Sequence, residues 1–589
     1  MNNRISKSIL LFILLIFSIS TIPKSIGSLP YIFTNDEYYV VDQAMGYTTG
    51  NFSRSIGGIM YGYGDFPIII NSFGMLLHKS IYSLKLVISH INGDSKNVRK
   101  TGDELRNIYG DYQLAEENYY NSYFSHPSSS FMIARLFSLL FGICSLLVGY
   151  KISRLFMEYQ WALIAVFFIA LIPVFHAYAS NAKVDMSLTF TSLSFLYYSI
   201  LCIKNHNNNK SVFLCSLYFG LAMCSKMNGM FLLIPYVYII ATILRNRYRL
   251  NDNVRSVMLY ALGGLSVAFV ALGPNYLFNN LFLNIKTIAM VLVANYRSSM
   301  SYSGLSLITN VVGEHGIIQS VFIILGLLIV FLNKKYVKDI KILIMLYILA
   351  IFFPFIFFKT ASFKASLYVL PALPIFAILS ILAMRYIYYL SPYSVGKKNI
   401  VLFTMILVTA FPMAKSIKGE IGINVNSMND TRIVAKQWIE NNIPNNNKLF
   451  YLGRYIHLPP IRSKNRLAED NRREEKFNQS LKIHFERFLT EIADSNYYYI
   501  EDYTGRYWRE EEFEHVLSYD HYIDKQIDYV VYSPEYFERY NSEDLTNQKL
   551  VIDNLLRELN SKAVMVKEFD SELGGIHGPK ILIFKLDNT

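Results

Sequence analysis

Long apolar runs alternate with short basic connections over the first 415 positions, and a more polar stretch of mixed periodicity follows. A helix needs roughly 20 apolar residues to cross a hydrocarbon core. On that criterion about 11 runs are expected to be membrane-spanning helices. They lie near 5–22, 131–150, 160–179, 186–203, 211–225, 229–244, 256–278, 316–332, 341–358, 366–384 and 398–414. Two of them, 211–225 and 229–244, are short and flank Ser225-Lys226-Met227-Asn228-Gly229. That pattern suits a broken or re-entrant pair, so the count is good to about one either way.

The connections orient the stack. Arg4 and Lys7 put the N-terminus in the cytoplasm. Alternating from there, 151–159, 204–210, 245–255, 333–340 and 385–397 are cytoplasmic. Each is basic, through Lys151 and Arg154; Lys204 and Lys210; Arg245, Arg247, Arg249 and Arg255; Lys334, Lys335 and Lys338; Arg385 and Lys397. Residues 23–130 and the tail from about 415 then lie outside. Reading the first run as a signal peptide does not change this, because Thr21-Ile22-Pro23-Lys24 is a poor cleavage site and Asp36 emerges outside in either case.

In the outer loop, stretches such as Leu76 to Tyr82 are amphipathic and suit helices lying in the interface. The tail carries helical periodicity over Asp430 to Asn441 and Gln548 to Asn560. Between these are β-like runs at Lys448 to Leu452 and Tyr529 to Tyr532, with another at Lys580 to Leu586. The expected fold is an α-helical polytopic membrane protein: residues 1–415 form the membrane domain, with its large outer loop 23–130, and 416–589 form an extracytoplasmic α/β domain.

Composition agrees. Across 589 residues, 52% are hydrophobic and the mean hydropathy is +0.26, too apolar for a soluble chain of this length. The net charge of +12 sits largely in the short loops, so topology explains it better than nucleic-acid binding. Cys144, Cys202, Cys215 and Cys224 all fall in apolar runs, which argues against a disulfide framework. No GxxxxGK[ST], HExxH or paired CxxC pattern occurs, and Tyr61-Gly62-Tyr63-Gly64-Asp65 reads as a turn.

The chemistry-bearing positions follow. Thr34-Asn35-Asp36-Glu37-Tyr38-Tyr39 puts two carboxylates where the first helix emerges. They could deprotonate an acceptor hydroxyl and stabilise an oxocarbenium-like centre. Thr34 and Glu37 equally fit a capping box, and the two readings are compatible. Asp185 is a second outer acid at a helix start, where it needs a cavity or a partner; a helix cap or a pair with Lys183 is the plain alternative. Lys226, Arg297, Lys359 and Lys364, with His315 nearby, are cationic positions on the outer side, against the general trend. As a set they suit a lipid phosphate, while each alone suits a snorkelling side chain.

The order of these features resembles the GT-C glycosyltransferases, specifically the branch of protein O-mannosyltransferases and lipid A aminoarabinose transferases. Asn35-Asp36-Glu37-Tyr38-Tyr39 with Ala44 looks like the acidic motif of the first outer loop. Arg135 to Gly142 is similar to the opening of the second helix, and Ala177 to Met186 to the second acidic stretch. Gly220 to Gly229 is similar to the small-residue and lysine segment, and Lys364 to Pro374 is a weaker match. Where the group often has a basic residue with two prolines, this chain has Gly64-Asp65-Phe66-Pro67-Ile68.

The resemblance implies a helical bundle with a cavity open outward and to lipid, and a polyprenyl- or dolichyl-phosphate sugar as donor. It casts Asp36 as the base or the acceptor-orienting carboxylate, Glu37 as its neighbour shaping the loop and Asp185 as a second carboxylate in the cavity. Lys226, Arg297, Lys359 and Lys364 become candidates to stabilise the departing lipid phosphate. The acceptor is a hydroxyl on protein, lipid or glycan, attacked with inversion at the anomeric carbon. No cofactor is called for, and a divalent cation is left open. The setting is a bacterial or archaeal cell membrane, or the endoplasmic reticulum in a eukaryote. A transporter or flippase is the runner-up, disfavoured because no internal repeat relates the halves. A membrane-anchored receptor acting through 415–589 is a third reading, in which Asp36 is dispensable.

Overall fold

The computed structural model describes residues 3–27, 35–50, 64–93, 116–124, 128–205, 208–249, 254–271, 311–334, 337–358, 369–425, 430–453, 458–459, 461, 479–491, 499–502, 517–537, 546–570 and 579–586. The chain divides into two compact units. The first comprises residues 1–25, 39–78 and 130–421; the second comprises 26–38, 79–129 and 422–589.

The first unit is helical, and every expected apolar run meets a helix. These are α1 (Asn3–Gly27), α2 (Asn35–Tyr47), α3 (Asp65–Gly93), α4 (Ser128–Phe156), α5 (Tyr159–Ala170), α6 (Pro173–Ala179), α7 (Asp185–Lys204) and α8 (Asn209–Ser225). There follow α9 (Leu233–Arg249), α10 (Val254–Ser266), α11 (Ile317–Leu332), α12 (Lys338–Phe358), α13 (Leu373–Leu390) and α14 (Val395–Val425). The ends of α1 and α4 and parts of α2, α3 and α14 belong to the second unit. Among the described residues six helices are long and apolar enough to cross a membrane, or seven if the bent pair α5–α6 counts as one span.

Two boundaries depart from the sequence reading for a shared reason. The run 160–179 is two helices meeting at 69°, because Pro173 lacks an N–H and is tolerated only in a first turn. In the described part of the run near 366–384, the helix α13 starts at Leu373 with Pro374 in its first turn, and it extends to Leu390. The pair at 211–225 and 229–244 is broken as expected: Lys226 is extended, and a 3-10 turn, Met227–Leu232, leads into α9.

Helix α7 is rich in Ser and Thr yet mostly buried. Its hydroxyls turn back on their own backbone, Thr189 to the Asp185 carbonyl and Thr191 to that of Ser187, both at 2.8 Å. Ser199 reaches Cys215 of α8 at 3.2 Å. In a membrane interior such pairing replaces the water that would otherwise satisfy these groups.

The second unit holds a mixed sheet of β1 (Lys448–Leu452), β2 (Tyr499–Asp502), β3 (Tyr529–Tyr532), β4 (Ala563–Phe569) and β5 (Ile581–Leu586), in the order β2-β1-β3-β5-β4. β1 runs parallel to β2 and β3, and β5 is antiparallel to both β3 and β4. Helices α15 (Thr431–Asn442), α16 (Gln479–Glu491), α17 (Tyr519–Asp524) and α18 (Thr546–Lys562) connect or precede the strands. Period-two alternation sorts the core. Phe450, Leu452, Val530, Tyr532 and Phe584 face Leu555 of α18 and Tyr522 of α17. Leu449, Tyr451, Val531, Ile581 and Ile583 pack with Ala435 and Ile439 of α15. The result is a three-layer α/β/α arrangement.

Also in this unit, helical residues 116–124 of the first loop pack on α16. Tyr120 stacks on His484 with ring centroids 4.2 Å apart, and Phe124 meets Phe485 at 4.8 Å. Glu117 pairs with Arg487. Burial holds the His484 imidazole below its ordinary 6.5, with Arg487 and Lys79 pushing the same way and Glu116 and Glu117 opposing. A depressed folded value means the stability from neutral His484 is present above the ordinary value and is lost as pH falls through the folded one. Hydrogen exchange over 479–491, corrected for intrinsic rates, is expected to quicken between about pH 7 and pH 5. His484→Phe, which keeps the stack and removes the titration, should flatten that dependence. A pH response unchanged in the variant would assign it to another group.

Candidate functional site

The site is built around the break after α8. Small residues in Gly220-Leu221-Ala222 allow close packing, and the helix ends where Lys226 turns extended, with φ −157° and ψ 147°. Gly229 is required just beyond, since a Cβ there would lie 2.2 Å from the Ala222 carbonyl oxygen. The Lys226 ammonium meets Oδ1 of Asp185, the first residue of α7, at 2.8 Å. Both are buried, at 8% and 4% exposure.

Two residues singled out in the sequence, one at the start of α7 and one at the end of α8, are thus joined. The helix cap proposed for Asp185 is not formed: Val184 is the N-cap residue and no side-chain cap bond is present. The Lys183 ammonium lies over the Tyr178 ring at 5.1 Å.

From this pair a ring of contacts runs through the first loop and back. Val184, just before Asp185, packs on Val40 of α2. At the far end of α2 the Tyr47 hydroxyl donates to Oδ1 of Asp65 at 3.1 Å, and both residues are buried. Asp65 opens α3, and a carboxylate there suits the positive end of the helix dipole. The preceding Gly64 donates its N–H to the Ser225 carbonyl at 3.0 Å, closing the ring beside Lys226. A Cβ on Gly64 would lie 1.8 Å from the Cys224 carbonyl oxygen. Gly64→Ala must therefore push the backbones apart and is expected to cost about 1–3 kcal/mol. A lowered unfolding temperature in detergent would register it, and an unchanged one would show that the seam yields freely.

The surroundings hold this ring in place. Arg135 of α4 is fully buried, donates to the Ser25 carbonyl at 3.1 Å and lies over Phe131. Ser138, one turn on, contacts the Lys183 carbonyl at 3.5 Å. Glu314 accepts the Val174 N–H at 2.9 Å at the start of α6, the helix that leads into the Asp185 loop. His176 of α6 contacts Ser20 of α1 at 3.0 Å.

Of the other designated residues, Asp36 and Glu37 lie in the first turn of α2, one turn before Val40. Glu37 is fully buried; the Asp36 side chain and Thr34 lie outside what is described. Arg297, Lys359 and Lys364 also lie outside the described residues. His315 is buried between α11 and α13, edge-on to Phe376 at 6.3 Å. Sequence reasoning missed Tyr47 and Asp65 as site residues and took Gly64-Asp65 for a plain turn; the available signal was an acid placed directly before an apolar helix.

A divalent cation does not fit the described residues. No group of three His, Cys, Asp or Glu among them could hold one, and Asp185 faces an ammonium.

Residues 127–278, which include Asp185 and Lys226, match the family model "Dolichyl-phosphate-mannose-protein mannosyltransferase". The whole chain is similar in fold to ArnT from Cupriavidus metallidurans bound to undecaprenyl phosphate. That match has a TM-score of 0.51 and 12% identity, over 100% of this chain and 99% of that one. The apo oligosaccharyltransferase of Archaeoglobus fulgidus aligns at a TM-score of 0.47 and 12% identity, over 90% of this chain and 69% of that one. No curated protein matches the chain in sequence. The GT-C likeness expected from the sequence is borne out at the level of fold.

Proposed function

We propose that this integral membrane protein is a glycosyltransferase that moves a sugar from a polyprenyl- or dolichyl-phosphate carrier to an acceptor hydroxyl on the outer side of the membrane. The observation that carries the proposal is the buried Asp185–Lys226 pair, set at a helix break and tied to the acidic first-loop helix. It lies within the stretch matched to a family named for a dolichyl-phosphate-mannose donor.

Asp36 accepts the acceptor hydroxyl's proton as its oxygen bonds to the anomeric carbon. The bond from that carbon to the carrier phosphate breaks, with the electron pair leaving on the phosphate oxygen. Attack opposite the leaving group inverts the centre. The phosphate gains a negative charge during the step, so an ammonium at that oxygen stabilises the transition state more than the ground state. Lys226 supplies it, with Arg297, Lys359 and Lys364 as further candidates. Asp185 holds Lys226 in place until the donor enters and then shares it. Glu37 shapes the start of α2.

Residues 23–130 and 416–589 are assigned to the outer side and the N-terminus to the cytoplasm. Protein, lipid and glycan are all admissible acceptors.

The test is to supply the purified protein in vesicles with labelled dolichyl-phosphate mannose and undecaprenyl-phosphate aminoarabinose. Release of free carrier phosphate is expected with at least one donor, accompanied by label on an acceptor. Movement of an intact lipid-linked sugar between leaflets, without cleavage, would make the chain a transporter instead.

A further inference from the structure

Between Asp185 and Ile203 every side chain of α7 is buried except those of Phe190, Tyr197, Tyr198 and Leu201, which are half-buried. Phe190, Tyr197 and Leu201 stand at i, i+7 and i+11 and share one face of the helix. The strip of α7 that reaches the surface of the bundle is therefore mostly aromatic.

That strip belongs to a longer row of rings within the first unit. Phe66, directly after Asp65, meets Phe141 of α4 at a centroid distance of 5.7 Å, and Phe141 meets Phe190 at 5.9 Å. Phe190 meets Tyr218 of α8 edge-on at 5.8 Å, and Tyr218 stacks on Tyr198 at 5.5 Å with 7° between the planes. Tyr197 adjoins Tyr198 at 5.1 Å, and the Lys151 ammonium lies 5.8 Å from the Tyr197 centroid. Phe66 and Phe141 are buried, and the other four rings are half-buried.

The row begins beside the charged pair and leads away from it. Gly64, two residues before Phe66, donates its N–H to Ser225, the residue before Lys226. At 1.5 Å per residue, Phe190 stands about 8 Å and Tyr197 about 18 Å along α7 from Asp185. A phosphate held at Lys226 fixes where its hydrocarbon tail starts, and this apolar surface starts there. Leu or Ile would serve an ordinary saturated acyl chain equally well. A polyprenyl chain carries regularly spaced double bonds and methyl branches, which gain dispersion contacts on ring faces and edges.

We propose that the row of rings is the seat of the carrier's polyprenyl chain, with the phosphate at Lys226 and the chain running along α7 toward Lys151. This rests on the carrier reading above and adds to it the recognition of the hydrocarbon, which cations at the phosphate cannot supply. Head and tail are then read by different side chains, and their contributions separate.

The test uses the full-length protein in phosphatidylcholine nanodiscs and two probes with the same head, undecaprenyl phosphate and hexadecyl phosphate. Wild type is expected to bind the polyprenyl probe at least about tenfold more tightly. Replacing Phe190, Tyr198 and Tyr218 together by Leu should erase most of that preference and leave hexadecyl phosphate unaffected. Tyr198→Phe with Tyr218→Phe keeps the rings and should keep the preference. Lys226→Gln with Asp185→Asn should weaken both probes by the same factor. A polyprenyl phosphate with a photoreactive tail should label residues 190–201 and 215–218, and unlabelled undecaprenyl phosphate should compete where hexadecyl phosphate does not.

A preference that survives the triple Leu variant would overturn the proposal, as would equal binding of the two probes by wild type. So would a photoreactive phosphatidylcholine that labels the strip and is not displaced by undecaprenyl phosphate. Wild type that binds neither probe would remove the carrier reading itself, and this proposal with it.

Discussion

Replacing Asp36 by Asn is expected to lower transfer by about a hundred- to ten-thousandfold, the range associated with loss of a general base. The substitution is nearly isosteric, and asparagine caps helices as well as aspartate does, so α2 should still begin at Asn35. Carrier affinity should be retained, because the proposed phosphate ligands lie elsewhere in the chain. The measurement is single-turnover release of labelled sugar from the carrier, with circular dichroism and unfolding temperature as controls. Full activity in the variant would leave the transferase assignment intact and move the base role to Asp185, which Asp185→Asn would then test. Glu37 makes a useful contrast. It is fully buried, so Glu37→Gln should act through stability and lower yield more than turnover per folded molecule.

The second large effect is expected at Lys226. Its ammonium is 2.8 Å from Asp185 in a buried setting, so Lys226→Ala abandons a carboxylate without its partner. Removal of one member of such a pair costs about 3–5 kcal/mol. Affinity for a carrier phosphate should fall at least about tenfold as well, since a charge-assisted contact is worth roughly 1.5–3 kcal/mol. The two losses can be separated. Combining Lys226→Gln with Asp185→Asn removes both charges and leaves an amide pair of similar shape. That double variant should recover most of the stability and none of the carrier affinity. Recovery of both would make the pair purely structural and hand the phosphate to other cations.

Much of the architecture could be read in advance, because lipid leaves few alternatives. A run such as 131–150 has no low-energy fate in a bilayer but a helix, and α4 covers it in full. Strands β1 and β3 were legible to the residue, since Lys448 to Leu452 and Tyr529 to Tyr532 are short apolar runs between polar stretches. β4 was not. It follows α18 with no turn residue between Lys562 and Ala563, and most of its side chains face away from the core. β2, only 4 residues long at the sheet edge, carries too little pattern to stand out. The bend at Pro173 was visible as a proline, but its angle depends on what α5 and α6 pack against.

At the site, Asp185 and Lys226 could each be singled out as a charge in costly surroundings. Their pairing could not, because 41 positions separate them and only the folding of α7 against α8 brings them together. The roles of Gly64, Asp65 and Tyr47 were hidden for a related reason. A glycine needed for close backbone approach looks, in sequence, like a glycine needed for a turn.

The strand order of the second unit bears on when it can form. β5 is the latest of the five strands in sequence, yet it lies between β3 and β4, with Val530 facing Phe584 and Phe569 facing Ile581. Ordered strand by strand as the chain emerges, β3 would have no partner on one side and β4 none at all. The hydrophobic layer under α18 would stay open until residue 584 arrived. The sheet can therefore be completed only once β5 has been made, although β1, β2 and β3, already neighbours, can pair before then.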